Sequence, residues 1–350
     1  MNRLMPTMNM QKRWLILLFA LITMASCNHK VGKVPEPERS VYYWRTTLHF
    51  DSAERQFLAE HQIKKIFVRF FDVVPGGKEG VQPNATLQFT DSIPRGLEVV
   101  PTVFITENCL QNDLKALPQL LVERILQMCK TNGIPPIKEV QLDCDWTANS
   151  QSAYFHLLEQ TRTLLKEKGI RLSATIRLHQ LRMTPPPVDY GALMLYNTGD
   201  ATDRNCKNPI LDMAAIEPYL KHLVDYDLPL CAAYPVFGWK LLFAADTFKA
   251  IAYDADLTDT TLFRRQSADT YMAVSSRELT TGPGEDANSA HINPGDEILV
   301  REVPFSLIEA VREKVASYAP SINDQVIVYD LNSENIKRYN HNEYEKIYRP

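Results

Sequence analysis

Eight short runs rich in β-branched and aromatic residues recur between positions 40 and 332, and most are followed by a stretch with helical spacing. They occupy 40–50, 64–74, 97–106, 139–147, 171–178, 190–197, 228–238 and 324–332. A chain that alternates strand and helix must cover both faces of a parallel sheet, and eight such units close on themselves as a (β/α)8 barrel. The rival is an open doubly wound sheet, disfavoured because no glycine-rich phosphate loop follows the first run. Local punctuation supports the helices: Asp51 sits at a helix start, Ser150 opens SQSAYFHLLEQTRTLLKEKGI, and Gly133 and Gly169 close two helical stretches. Residues 239–303 break the rhythm and are too long for a plain βα loop, so they read as a small α+β insertion after strand seven. The barrel domain then spans 40–350.

The fourth run, EVQLDCDWT, places two aspartates in a strand that is otherwise apolar. Alternation puts Asp143, Asp145 and Thr147 on one face and Leu142, Cys144 and Trp146 on the other. The apolar set belongs against the helices, which turns the aspartates inward and towards the C-terminal mouth, where barrel enzymes carry their sites. Carboxylates in such a place need partners. Two like charges this close favour a shared proton, and the bland alternative is a pair tied to a barrel arginine or to backbone groups. Near the same mouth lie Glu107, Asp72, Asp200, Arg69, Arg177 and His179. Arg177 suits a bidentate bond to a carboxylate, or the binding of a sugar or an acid. Trp44, Tyr43, Tyr196, Tyr234 and Trp239 lie at or beside strand ends, where a ring can stack on a pyranose face.

Strands four to seven resemble family 18 glycoside hydrolases, the chitinases and endo-β-N-acetylglucosaminidases. The D-x-D-W of Asp143, Asp145 and Trp146 is similar to the end of that family's fourth-strand motif, with Val140 for its first Asp and Thr147 for its Glu. MLYN matches the sixth-strand pattern through Met194 and Tyr196, with Asn197 for Asp, and YPVFG matches the seventh through Pro235, Phe237 and Gly238. The resemblance implies that Asp145 holds an acetamide and that Tyr196 supports it. It also implies that the proton-donating Glu is missing, since a threonine hydroxyl cannot act as a general acid near neutral pH. That family's substrate-assisted hydrolysis is therefore not expected. A group of uncharacterised barrel lipoproteins with a D-x-D fourth strand is a second possible kinship.

At the amino end, Arg3, Lys12 and Arg13 precede the apolar WLILLFALIT and the sequence MASC. This resembles a lipoprotein signal of residues 1–27, cut before a lipidated Cys27, with residues 28–39 as a tether. Asn28 rather than Asp after the cysteine favours an outer-membrane anchor in the bacterial envelope, facing the periplasm or the surface. The five remaining cysteines are odd in number and widely spaced, which suggests buried thiols with at most one bridge. Neither a metal site nor a cofactor is indicated, and a net charge of −4 offers no case for nucleic acid.

These readings leave three functions open. The first is a glycan-directed envelope lipoprotein that binds oligosaccharide or polysaccharide with family-type hydrolysis lost. The second is an active glycoside hydrolase using rearranged carboxylates, with Asp145 and Glu107 or Asp143 as the pair. The third is a non-catalytic scaffold for protein partners.

Overall fold

The computed structural model describes residues 36–77, 80–281 and 289–349. The expected signal, Cys27 and most of the tether lie outside the described residues. Eight parallel strands form a closed barrel: β1 (Glu38–Tyr43), β2 (Lys65–Pro75), β3 (Glu98–Ile105), β4 (Glu139–Asp143), β5 (Arg171–Ile176), β6 (Tyr190–Met194), β7 (Leu230–Pro235) and β8 (Gln325–Tyr329). Closure comes from β1, which pairs with β8 through Val41↔Val328 and with β2 through Val41↔Ile66. The expected (β/α)8 architecture is therefore the one found.

Helices cover the outside where the sequence supplies an apolar stripe. They are α1 (Ser52–Glu60), α2 (Leu117–Thr131), α3 (Gln151–Lys166), α4 (Met213–Leu220), α5 (Phe305–Tyr318), α6 (Ser333–Ile336) and α7 (His341–Tyr348). Asp51 caps α1 in a capping box with Glu54. Gly169, just beyond α3, takes φ 71°, a conformation cheap only for glycine. Two crossovers depart from the regular pattern: β2 leads into an antiparallel strand, Val81–Asn84, and β5 into a single 3-10 turn, Leu178–Arg182.

Between β7 and α5 the chain builds a separate five-stranded antiparallel sheet in the order 247–251, 239–244, 297–301, 270–273, 263–265. It has its own apolar cluster of Leu242, Ala252, Leu262, Phe263, Ala273 and Ile298. Its described residues hold strands and no helix, which corrects the expected α+β mixture. The stretch DTYMAVSSREL, polar at alternate positions, pairs as Thr270–Ala273 and Arg277–Thr280 because tyrosine, methionine and valine suit a half-buried pleat better than a short helix.

Strand β4 shows how parity fills the barrel. Val140 and Leu142 point outward, while Glu139, Gln141 and Asp143 form an inward polar column that is 0, 0 and 4% exposed. Trp146 lies outside, fully buried between Tyr154 and Phe155 of α3 at ring distances of 6.3 and 5.1 Å. Burying a ring of this size contributes roughly 3 kcal/mol. The strand ends at Asp143, earlier than the run of 139–147 suggested.

Candidate functional site

The C-terminal mouth of the barrel holds a cavity of about 230 Å³. Its walls come from the ends of β1, β2, β3, β4, β5, β6 and β8, and none of its lining residues belongs to the inserted sheet. Two ion pairs face it. On β2, Arg69 pairs with Asp72. Residues three apart on a regular strand face opposite ways, but a register shift between Arg69 and Phe71 inserts one extra residue and turns both side chains to the same face.

The second pair grows from β4 and β5. Asp143 accepts hydrogen bonds from the Thr175 hydroxyl, at 2.5 Å, and from Arg177 Nη2, at 2.9 Å. Arg177 Nε also bonds Asp145. Of the two arrangements the sequence left open, the aspartates are thus tied to a barrel arginine. Burial works against the Arg177 charge, but the neighbouring charges of Asp143 and Asp145 outweigh it and push its pKa up. The two acids differ in setting. Asp143 is buried and lines the cavity, whereas the Asp145 side chain is 56% exposed on the rim. The regular strand stops between them, so parity carries Asp143 inside but does not hold Asp145 there.

An aromatic wall completes the cavity. The Tyr196 and Tyr329 rings stack at 4.8 Å, and Trp44 packs on Tyr42 at 6.0 Å and on Tyr329 at 6.1 Å. Arg69 lies 5.7 Å over the Trp44 ring, within cation–π range. Burial raises the pKa values of Tyr42, Tyr196 and Tyr329, which keeps their hydroxyls neutral. Tyr42 donates to Gln141 at 2.8 Å. Tyr196 borders the cavity, and no hydrogen bond engages its hydroxyl among the described residues. Asn197 lies on the same wall with φ 55°, a left-handed conformation that asparagine tolerates better than most residues.

Four of the residues singled out by sequence for substrate contact, Trp44, Arg177, Tyr196 and Asn197, line this one cavity together with Asp143. Trp239 is one ring removed: it packs 5.3 Å from Phe237, which in turn contacts Tyr196 and Tyr329. Glu107 also lies apart from the lining. One of its carboxylate oxygens accepts from the hydroxyls of Thr147 and Ser150, each at 2.6 Å. Those bonds, Ser150 first and Thr147 second, hold Glu107 below the usual carboxylate range. Glu107 thereby fastens the turn after β3 to the loop before α3, and it diverts Ser150 from capping its helix. His179 is exposed on the turn after β5, and Asp200 caps a loop through Thr202.

Sequence reasoning missed Tyr42, Phe104, Thr175 and Tyr329 as wall residues. The aromatic residue ending IVY in the last strand was a usable signal for Tyr329, since strand ends face the mouth. The five described cysteines are unpaired: Cys109, Cys129, Cys144 and Cys231 are buried free thiols, and Cys206 is a half-buried one.

No family model matches the chain, and a search of curated proteins finds no match. Solved structures do match across its length. A chitinase from Chromobacterium violaceum superposes with a TM-score of 0.54 at 12% identity, covering 89% of this chain and 98% of that one. A class V chitinase from Pseudomonas fluorescens gives 0.52 at 14% identity, with 89 and 98% covered. The spore cortex-lytic enzyme of Bacillus cereus gives 0.51 at 12% identity, with 86 and 73% covered. At these identities the likeness is one of fold, and it is a likeness to the glycoside-hydrolase-like (β/α)8 barrel that the chitinases share.

Proposed function

We propose that this protein is a glycan-binding lipoprotein of the bacterial envelope, built on a chitinase-like barrel and without hydrolysis of the family 18 kind. The observation that carries the reading is the composition of the mouth cavity. It sets the rings of Trp44, Tyr196 and Tyr329 beside the Tyr196 hydroxyl, Asn197 and two arginine–aspartate pairs. Aromatic rings and charged or amide groups line it in comparable measure, the mixture that stacks on a sugar ring and bonds its hydroxyls.

Loss of chemistry is supported at position 147. A threonine stands there, its hydroxyl spent on Glu107, and Glu107 is itself held deprotonated by two donors. A general acid needs a proton it can give up near the working pH: Glu107 holds none, and the Thr147 hydroxyl is far too weakly acidic to release its own. The rearranged hydrolase is less well supported, because Glu107 and Asp145 both stand outside the cavity lining. A scaffold that only presents its outer surface has no use for an open mouth, and the cavity walls contain no residue of the insertion that could plug it. Cys27 is the proposed lipid site and the outer membrane the proposed location, on the strength of the MASC sequence and Asn28.

Protein lacking residues 1–27, probed with an oligosaccharide array that includes chitin oligomers, tests the reading. Saturable binding without product is the expected result. Absence of binding to any glycan, or release of shorter sugars, overturns it.

A further inference from the structure

Far from the mouth, the end of α1 meets the start of α7 on the floor side of the barrel, where Arg39 of β1 donates to the His61 carbonyl at 3.0 Å. Here a carboxylate oxygen of Glu60 and one nitrogen each of His61 and His341 lie within 4.8 Å of one another. The two imidazole rings stack, with centroids 4.8 Å apart and planes 23° from parallel. Glu60 and His341 are exposed, while His61 is 2% exposed behind Phe57, Tyr344 and Tyr348.

His61 is also backed by a carboxylate. Its Nδ1 lies 3.1 Å from Glu345, which is clamped by two bonds from Arg39 at 2.7 and 3.0 Å. A carboxylate on one ring nitrogen fixes the tautomer and leaves the other nitrogen's lone pair to bind, the usual support of a metal-bound imidazole. Two imidazoles and a carboxylate suit a borderline metal such as zinc, whereas calcium and magnesium take oxygen ligands. Zinc–nitrogen bonds of about 2.0–2.1 Å place tetrahedral donors roughly 3.3 Å apart. The exposed side chains of Glu60 and His341 have the rotamer freedom to close that gap.

We propose that Glu60, His61 and His341 form a three-ligand site for a zinc-class divalent ion, with water as fourth ligand, clasping the first helix of the barrel to the last. Sequence spacing offered no sign of it, because the ligands come from opposite ends of the chain.

Zinc sulfate titrated into the untagged full-length protein in detergent, followed by calorimetry and thermal melting, tests the site. The wild type is expected to bind one zinc per chain and to melt higher with zinc present. His341→Ala removes an exposed ligand without touching the core; it should weaken binding at least about tenfold and abolish the melting shift. Equal affinity in the two proteins, or no saturable binding below about 100 µM, overturns the proposal.

Discussion

The two ends of the barrel use the same strand in opposite ways. At the floor, Glu139 is 0% exposed and accepts from Ser173 at 2.7 Å and from the Tyr190 hydroxyl, while Lys65 and Arg171 approach at 3.4 and 3.3 Å. Four residues later on the same face, Asp143 has Thr175 and Arg177, and its other side borders open space. A buried charge ringed by donors closes a structure; one with donors on a single side leaves room for a ligand. The contrast follows from the helical shell and the twist of the strands, which seal one end and leave the loops to shape the other. It teaches that an acidic column along a barrel strand is not a site throughout its length.

The contrast can be broken at either end. Glu139→Ala should cost the most, about 3–5 kcal/mol in urea unfolding, because it removes at one stroke the buried acceptor of Ser173 and Tyr190 and one of the carboxylates around Lys65, leaving Lys65 with Glu38 and Glu98. Glycan affinity of the folded fraction should not change. Acid should weaken the floor next. Hydrogen bonding to Arg39, opposed by burial and helped by His61, holds Glu345 at about 2, against an ordinary 4.5. With the folded pKa below the unfolded one, this stabilisation is complete above about 4.5 and fades as the pH falls towards about 2. Glu345→Gln should remove on the order of 2–3 kcal/mol of that pH-dependent stability, read from unfolding curves taken across the window.

At the mouth, Arg177→Ala should cost less stability, about 1–3 kcal/mol, yet abolish sugar binding by calorimetry, since it frees both aspartates. Tyr196→Phe should weaken binding by about 0.5–1.5 kcal/mol and leave the melting temperature unchanged, because its hydroxyl makes no hydrogen bond among the described residues. The smallest signal is expected from Thr147→Glu. It sets a second carboxylate beside Glu107, which raises one pKa of the pair and supplies a proton donor. Trace release of N-acetylglucosamine from chitin oligomers is the predicted readout, with none from Thr147→Gln.

Much of the fold was legible in the sequence. Strand runs such as 64–74 and 190–197 are marked by β-branched and aromatic residues, and the helix at SQSAYFHLL by its apolar spacing, all of which act locally. The site was legible in part. Arg177, Tyr196, Asn197 and Trp44 stand at strand ends, and strand ends in this architecture converge on the mouth. The Arg69–Asp72 pair was not foreseen, because a strand of regular pleat would separate them, and only the pairing of β2 with β3 produces the bulge. Glu107 was placed near the mouth correctly but given the wrong neighbours, because no spacing reveals that Thr147 and Ser150 reach across from the next loop.

By itself, then, the sequence determined the alternation of elements, the inward parity of Glu139, Gln141 and Asp143, and the outward burial of Trp146, since each follows from backbone periodicity and apolar surface. The tertiary structure alone decided which acid met which base. Arg177 joined to two aspartates, Glu107 spent on two hydroxyls and His61 brought beside His341 all depend on distances between segments far apart in the chain. Charge pairing is set by those distances, and local sequence carries no record of them.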